Sequence, residues 1–275
     1  MSKLQDFGET QNVAITVLVD NRADLITQST DTVKRFTDEP LLAEHGFAAL
    51  VDLKDAGTRI LWDAGLTSTA MMDNMKRMAL DPATLIDKIA ISHGHDDHTA
   101  AVADVLEAIG VQPNPKEWPK ETPMEEMINA AQFHRVPLVI HPAAFRECWG
   151  IAEDGRKYGP MFGPPRDLWA ALGADVILSE GPYQLGPGCW VTGEVPRRSF
   201  ETSGISAHVF YRQGAELFPH RIEDDQAIVI HVRDKGLVVL SGCAHSGIVN
   251  TVNYAREISG VDNVWAILGL SLIHI

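Results

Sequence analysis

Six consecutive positions concentrate the chemistry of this chain: His93-Gly94-His95-Asp96-Asp97-His98. Three imidazoles and two carboxylates this close together suggest a metal site, because imidazole nitrogen beside carboxylate oxygen suits zinc, iron or manganese. A solvated polar loop is the bland alternative, but a multi-histidine cluster directly after an apolar run is a strong short signal. His93 and His95, two apart in an extended segment, project to the same side. Asp97 and His98 lie past a turn and face a neighbouring spot. One short loop can therefore begin two metal sites, which in dinuclear centres stand about 3.5–4 Å apart.

The elements that would hold this loop are legible around it. Ile89-Ala90-Ile91-Ser92 reads as a buried strand. Residues 99–109 read as a helix that Gly110 ends. The cluster thus sits at the carboxyl end of a strand, where open α/β folds place ligands. Further strand patterns cover 13–19, 48–53, 59–62, 136–140, 175–178, 189–192, 227–232, 236–241 and 263–268. Helical patterns cover 68–80, 125–132, 167–172 and 247–258. Lys54-Asp55-Ala56-Gly57 marks a hairpin between the second and third strand runs. Early hairpins followed by interleaved helices predict a layered α/β (α+β) fold of mixed sheets covered by helices. Residues 113–123 and 152–165 read as surface loops; the second holds Tyr158, Met161 and Phe162 and alternatively forms a flap over substrate.

His-x-His-x-Asp-His after an apolar strand resembles the signature of the metallo-β-lactamase superfamily. Ile60-Leu61-Trp62-Asp63-Ala64-Gly65 is similar to the strand and Asp-x-Gly turn that precede that signature. Asn21, Glu44-His45-Gly46, Thr192-Gly193-Glu194-Val195-Pro196-Arg197 and Gly242-Cys243-Ala244-His245-Ser246-Gly247-Ile248-Val249-Asn250 narrow the likeness. They resemble a branch of metal-dependent hydrolases related to 7,8-dihydropterin-6-methyl-4-(β-D-ribofuranosyl)aminobenzene-5'-phosphate synthase. The resemblance spans about residues 12–269. It implies an αββα sandwich, one domain over 1–269, with the metal site along the edge between two sheets. It also implies two divalent ions, zinc foremost, with manganese or iron as alternatives.

The implied ligand set pairs His93 and His95 with a third histidine, and Asp97 and His98 with a last one. His245 is taken as the third, because it follows the apolar run 236–241 in a Gly-rich turn before a helix. That repeats the strand–loop–helix context of the first cluster; a structural histidine is the alternative. Cys243 stands where many members carry a bridging Asp. It is either a thiolate ligand or a small buried residue, and since a lone buried Cys is usually the latter, it is left outside the ligand set. After Gly269 the family continues Gly-Phe-His, whereas here Leu270-Ser-Leu-Ile-His-Ile275 follows, with Leu272 in the histidine position. These six residues read as an adaptor-derived, non-native tail on a C-terminally truncated fold. Such a tail would weaken the Asp97–His98 site and impair the chain as it stands.

Other residues stay open. Asp63 could orient a ligating imidazole or form an Asx turn. Arg197 could hold a substrate phosphate or carboxylate bidentately, or form an ordinary surface pair with Arg198. Glu194 could be an acid, a ligand or a salt-bridge partner. His45 and His141 could line the site, whereas His231 reads as facing solvent. Composition narrows the partners. A net charge of −14 argues against nucleic acid and leaves a small-molecule substrate, anionic if Arg197 meets it. No apolar run reaches the ~18 residues of a membrane span, and the start of the chain lacks the apolar core of a signal peptide. The cytoplasm is the expected compartment. Cys148, Cys189 and Cys243 are odd in number and imply no disulfide framework.

The expected activity is hydrolysis of a small ester, lactone or phosphoester at a dinuclear site. Asp97 would hold the second metal and accept a proton during turnover. The resemblance implies two alternatives. One is the synthase reaction, with pyrophosphate leaving a pterin methyl group and Tyr158, Phe162 or Trp190 walling the pterin. The other is a non-enzymatic sensor that binds ligand through its metals.

Overall fold

The computed structural model describes residues 4, 6–23, 26, 28–31, 35, 39–110, 123–124, 135–201 and 208–270. Alternating apolar residues set the first sheet. β1 (Val13–Val19), β2 (Ala48–Leu53) and β3 (Thr58–Trp62) form an antiparallel meander, with the expected hairpin at residues 54–57. Chain crossovers then add β4 (Lys88–Ala90), β5 (Val136–Ile140) and β8 (Ala174–Leu178) in parallel, giving the order β1-β2-β3-β4-β5-β8. The second sheet contains β9 (Tyr183–Gly186), β10 (Cys189–Val191), β13 (Ala227–Val232), β14 (Gly236–Ser241) and β15 (Val264–Leu268). Its order is β15-β14-β13-β10-β9.

The period of two decides which core each residue joins. In β2, Ala49, Val51 and Leu53 face the second sheet, while Ala48 and Leu50 face helices. In β13, Ile228, Ile230 and Val232 face the first sheet, while Ala227 and Val229 face outward under a helix. Trp62, fully buried, lies between the two sheets. The outer face of the first sheet is covered by α1 (Ser68–Arg77), α2 (Pro82–Leu85), α4 (Val102–Ile109) and α5 (Arg166–Ala171). The outer face of the second is covered by α6 (Ile248–Ser259). Helix, sheet, sheet, helix is the layer order, so the described residues form the expected αββα sandwich.

Two expectations need correction. The helix expected at 99–109 begins earlier and is split: α3 (Asp96–Thr99) is a single turn, and α4 follows after Ala101. The acidic start Asp96-Asp97 suits a helix amino terminus, which explains the earlier beginning. Residues 152–165 are not all loop, because β7 (Lys157–Met161) lies there. It joins β6 (Cys148–Ile151), β11 (Val209–Gln213) and β12 (Glu216–Pro219) in a third sheet of order β12-β11-β6-β7. The helix expected at 125–132, most of the loop at 113–123, and Leu272 and His274 lie outside the described residues. Leu270 is described: it is buried against the inter-sheet core, and its N–H donates to Gly242 O. Among the described residues no helix is long and apolar enough to cross a membrane.

Candidate metal centre

The expected ligands gather where β3, β4 and β14 end. Asp63, just past β3, starts the arrangement. It is fully buried and adopts a positive φ of 57°, a conformation that Asp tolerates better than most residues. Its Oδ1 accepts Ser92 N–H at 2.7 Å, and its Oδ2 lies 2.7 Å from His98 Nδ1. Asp63 therefore orients an imidazole and ties its loop to Ser92; it forms no Asx turn, since Gly65 N–H donates to Phe47 O instead. Ser92 Oγ stands 2.9 Å from His93 Nδ1. With Nδ1 engaged in each ring, Nε2 of His93 and of His98 is turned to the centre.

Two donor sets result. His93 Nε2 lies 3.0 Å from His95 Nδ1 and 3.2 Å from His245 Nε2. His98 Nε2 lies 3.1 Å from Cys243 Sγ and 3.3 Å from Asp97 Oδ2. Within each of the groups His93/His95/His245 and His93/His98/Cys243, the donor atoms all lie within 4.8 Å of one another. Two nitrogens each about 2.1 Å from a tetrahedral ion would stand about 3.4 Å apart, so the spacing of the three rings fits a divalent ion. Their protonation fits as well. Burial, then the neighbouring rings of His98, His95 and His245, pushes His93 well below the usual histidine range. Burial also lowers His95, against the carboxylates of Asp224 and Asp97. Rings lowered in this way, with their nitrogens converging, form a group that could hold a metal ion.

The second set differs in charge. Burial by itself would lower His98, but the Asp63 carboxylate beside it, with Asp97 and Cys243 adding, raises it well above its ordinary value. Burial tends to raise Asp97, yet the hydrogen bond from His98 and the charges of His98, His95 and His45 hold it below its usual value. Burial raises the Cys243 thiol, while His98 works in the opposite direction. Two acids and a thiol around one ring make a pocket that favours positive charge.

Cys243, left outside the expected ligand set, thus belongs with the second group. Its position at the end of an apolar strand favoured the buried-residue reading; the close approach of two loops brings its Sγ to 3.1 Å from His98 Nε2. Gly242 allows that approach, since a Cβ there would collide with Ser92 Oγ. Gly46 does the same on the other side: Phe47 N–H bonds to Asp97 O at 3.2 Å, and a Cβ on Gly46, at φ 148°, would strike that carbonyl. His45 Nε2 reaches Asp97 Oδ2 at 3.4 Å with its side chain 72 % exposed, so it stands at the mouth.

Other expected residues fall elsewhere. Arg197 Nη2 donates to the carbonyls of Arg221 (2.6 Å) and Ile222 (3.4 Å). That placement makes it a clasp on the 221–222 backbone, a function that residue type and spacing did not disclose. Arg198 pairs with Glu257 at 2.7 Å at the surface. Burial, with Glu223 adding, raises Glu194. His141 is buried and accepts Ala143 N–H through Nδ1. His231 is half-buried rather than solvated, with Nδ1 3.1 Å from Gly8 O. Trp190 stacks on Phe7 and donates to Phe7 O, which removes it from any substrate wall. The Gly247–Asn250 run has a structural purpose: Asn250 Oδ1 accepts the N–H groups of Arg198 and Ser199, and its Nδ2 donates to Ser246 O. It ties the Pro-Arg-Arg segment to the turn that carries His245.

A family profile for the metallo-beta-lactamase superfamily matches residues 43–255. The chain is 26% identical over 271 residues to a 7,8-dihydropterin-6-methyl-4-(beta-D-ribofuranosyl)-aminobenzene-5'-phosphate synthase of Methanocaldococcus jannaschii, covering 97% of this chain and 79% of that protein. It is also 26% identical over 251 residues to an uncharacterized protein of the same organism, covering 91% and 77%. Among solved structures, a metal-dependent hydrolase of the beta-lactamase superfamily aligns with a TM-score of 0.63 at 18% identity, over 94% of this chain and 76% of that one. At that identity the likeness is one of fold.

Proposed function

Because the chain belongs to the metallo-beta-lactamase superfamily, we propose that it is a metal-dependent hydrolase of a small anionic ester, lactone or phosphoester. The observation that carries this reading is the pair of adjacent donor groups, His93/His95/His245 and His93/His98/Cys243, with Asp97 Oδ2 3.3 Å from His98 Nε2. Two divalent ions, zinc foremost, would supply there a water of lowered pKa and an electrophile for the scissile oxygen. His93, His95 and His245 would hold one ion; Asp97, His98 and Cys243 would hold the other. Asp63 keeps His98 Nε2 turned inward. Asp97 Oδ2 is the proton acceptor of the proposal, and His45 Nε2, 3.4 Å away and open to solvent, can pass that proton outward. Arg197, with Nη2 held by the 221–222 carbonyls, is proposed to set anion preference through that backbone: Arg197→Ala should raise KM for a phosphorylated substrate more than for a neutral one.

The likeness to the Methanocaldococcus jannaschii synthase favours a second reading, a transferase that joins a dihydropterin methyl group to an aminobenzene ribofuranosyl phosphate. Product analysis separates the two. The metal-loaded protein is given lactones, esters and phosphoesters in oxygen-18 water, and separately the pterin methyl pyrophosphate with the aminobenzene partner. Label entering a cleaved product supports the hydrolase. A joined product with release of pyrophosphate supports the transferase.

A further inference from the structure

Three consecutive residues that take no part in the proposed chemistry touch both halves of the three-histidine set. Asp224, Asp225 and Gln226 lie immediately before β13 and are buried. Asp224 Oδ2 accepts the N–H of Gly94, the peptide between His93 and His95, at 2.7 Å. Asp225 Oδ2 accepts the N–H of Ser246, the residue after His245, at 2.7 Å. Gln226 N–H donates to Ser92 O at 3.0 Å, and its Nε2 donates to Ile91 O at 2.7 Å. On the far side of Gly94 the Ala144 backbone is so close that a Cβ would lie 2.8 Å from its carbonyl oxygen. The first ligand loop is therefore wedged between Asp224 and the turn at Pro142–Phe145.

We infer that Asp224-Asp225-Gln226 is a positioning brace that fixes the loop of His93 and His95 against the loop of His245. These loops lie about 150 residues apart in sequence, and none of the described hydrogen bonds to Asp63, Ser92 or Asn250 joins His95 to the His245 turn. Burying two carboxylates is costly unless they accept strong bonds, and here each accepts a backbone N–H. Each also keeps a second oxygen, Oδ1, with no hydrogen-bond partner. A pair this costly is explained by what it holds. Asp224 and Asp225 bond the backbone on the three-histidine side, and Gln226 also holds Ser92, whose Oγ lies 3.3 Å from His98 Nδ1; Asp97, His98 and Cys243 are otherwise placed by Asp63, Gly46 and Gly242.

The inference rests on the metal-centre reading above, and cobalt(II) titration of the whole chain tests both separately. Absorption from thiolate to cobalt marks the set containing Cys243; binding without it marks the three-histidine set. Asp225→Ala should weaken the thiolate-free class about 10- to 100-fold, the scale on which outer partners of metal ligands act, and leave the thiolate class within about threefold. Asp225→Asn keeps an oxygen for Ser246 N–H and should restore most of the loss. Asp224→Ala should act like Asp225→Ala through the Gly94 side. Equal weakening of both classes, no weakening of either, or failure of both alanine variants to fold by circular dichroism would overturn the brace. Absence of any cobalt binding by the unmodified chain would instead remove the metal-centre reading itself.

Discussion

The two donor sets share a wall but are built on opposite electrostatic plans. His93 and His95 are rings that burial pushes below the usual histidine range, with neighbouring rings adding to the shift at His93, and His245 converges on them. His98 stands among Asp63, Asp97 and Cys243, and the same burial is overcome by the acids. One set excludes a proton from the place a cation would take; the other draws positive charge in. The difference shows that burial suffices to lower the rings of the first set, whereas the ring of the second is countered by a fixed acid, the doubly bonded Asp63.

Breaking the neutral set should have the largest effect. His95→Ala should abolish turnover and the thiolate-free metal class, with circular dichroism unchanged; measurable turnover at a normal rate would detach this set from the chemistry. Asp63→Asn comes next. It removes the counter-charge but keeps an acceptor, and should weaken metal at the acidic set about 10- to 100-fold, read by competition with a chromophoric chelator. Cys243→Ser sharpens the contrast: the thiolate absorption of the cobalt form should vanish, while affinity at the three-histidine set stays within about threefold.

The smallest effect lies outside both sets, at the residue that precedes Asp224. Glu223 Oε2 is 2.8 Å from Arg146 Nη1 and 3.5 Å from His220 Nδ1. Burial would raise this acid, but the nearby His220 ring and the Arg146 charge hold it down to about 2, against an ordinary 4.5. Its folded value is depressed, so its contribution is present above about pH 4.5 and lost as pH falls from there toward 2. Being half-exposed, it should contribute about 1 kcal/mol. Denaturant melts of Glu223→Gln should differ from the unmodified chain by that amount at pH 7 and converge near pH 2.

The parts of this molecule that were legible in the sequence are those in which pattern and burial agree. Strands 13–19, 48–53, 136–140, 227–232 and 236–241 appear with the expected bounds, because their residues alternate between two dry cores. The His-x-His step was legible because its two rings face one side of an extended loop. The third sheet was not. Every residue of β7 is exposed, and two of its five are Gly159 and Pro160; its pairing with β6, and that of β6 with β11, carries no alternating signature. Asp224-Asp225 matches no motif in the sequence, and only the fold brings Gly94, 130 positions away, onto an Asp224 oxygen. Cys243 was ambiguous for a similar reason: an apolar strand end conceals a thiol whose partner, His98, lies 145 positions away.

The central claim is that two metal ions sit in two chemically different donor sets. Anomalous diffraction at the zinc edge from crystals of the zinc-loaded chain tests it most directly. The account predicts two peaks, one ligated by His93 Nε2, His95 Nδ1 and His245 Nε2, the other by Asp97, His98 Nε2 and Cys243 Sγ. No peak among the three histidines, or a second peak away from Cys243 and Asp97, would contradict it.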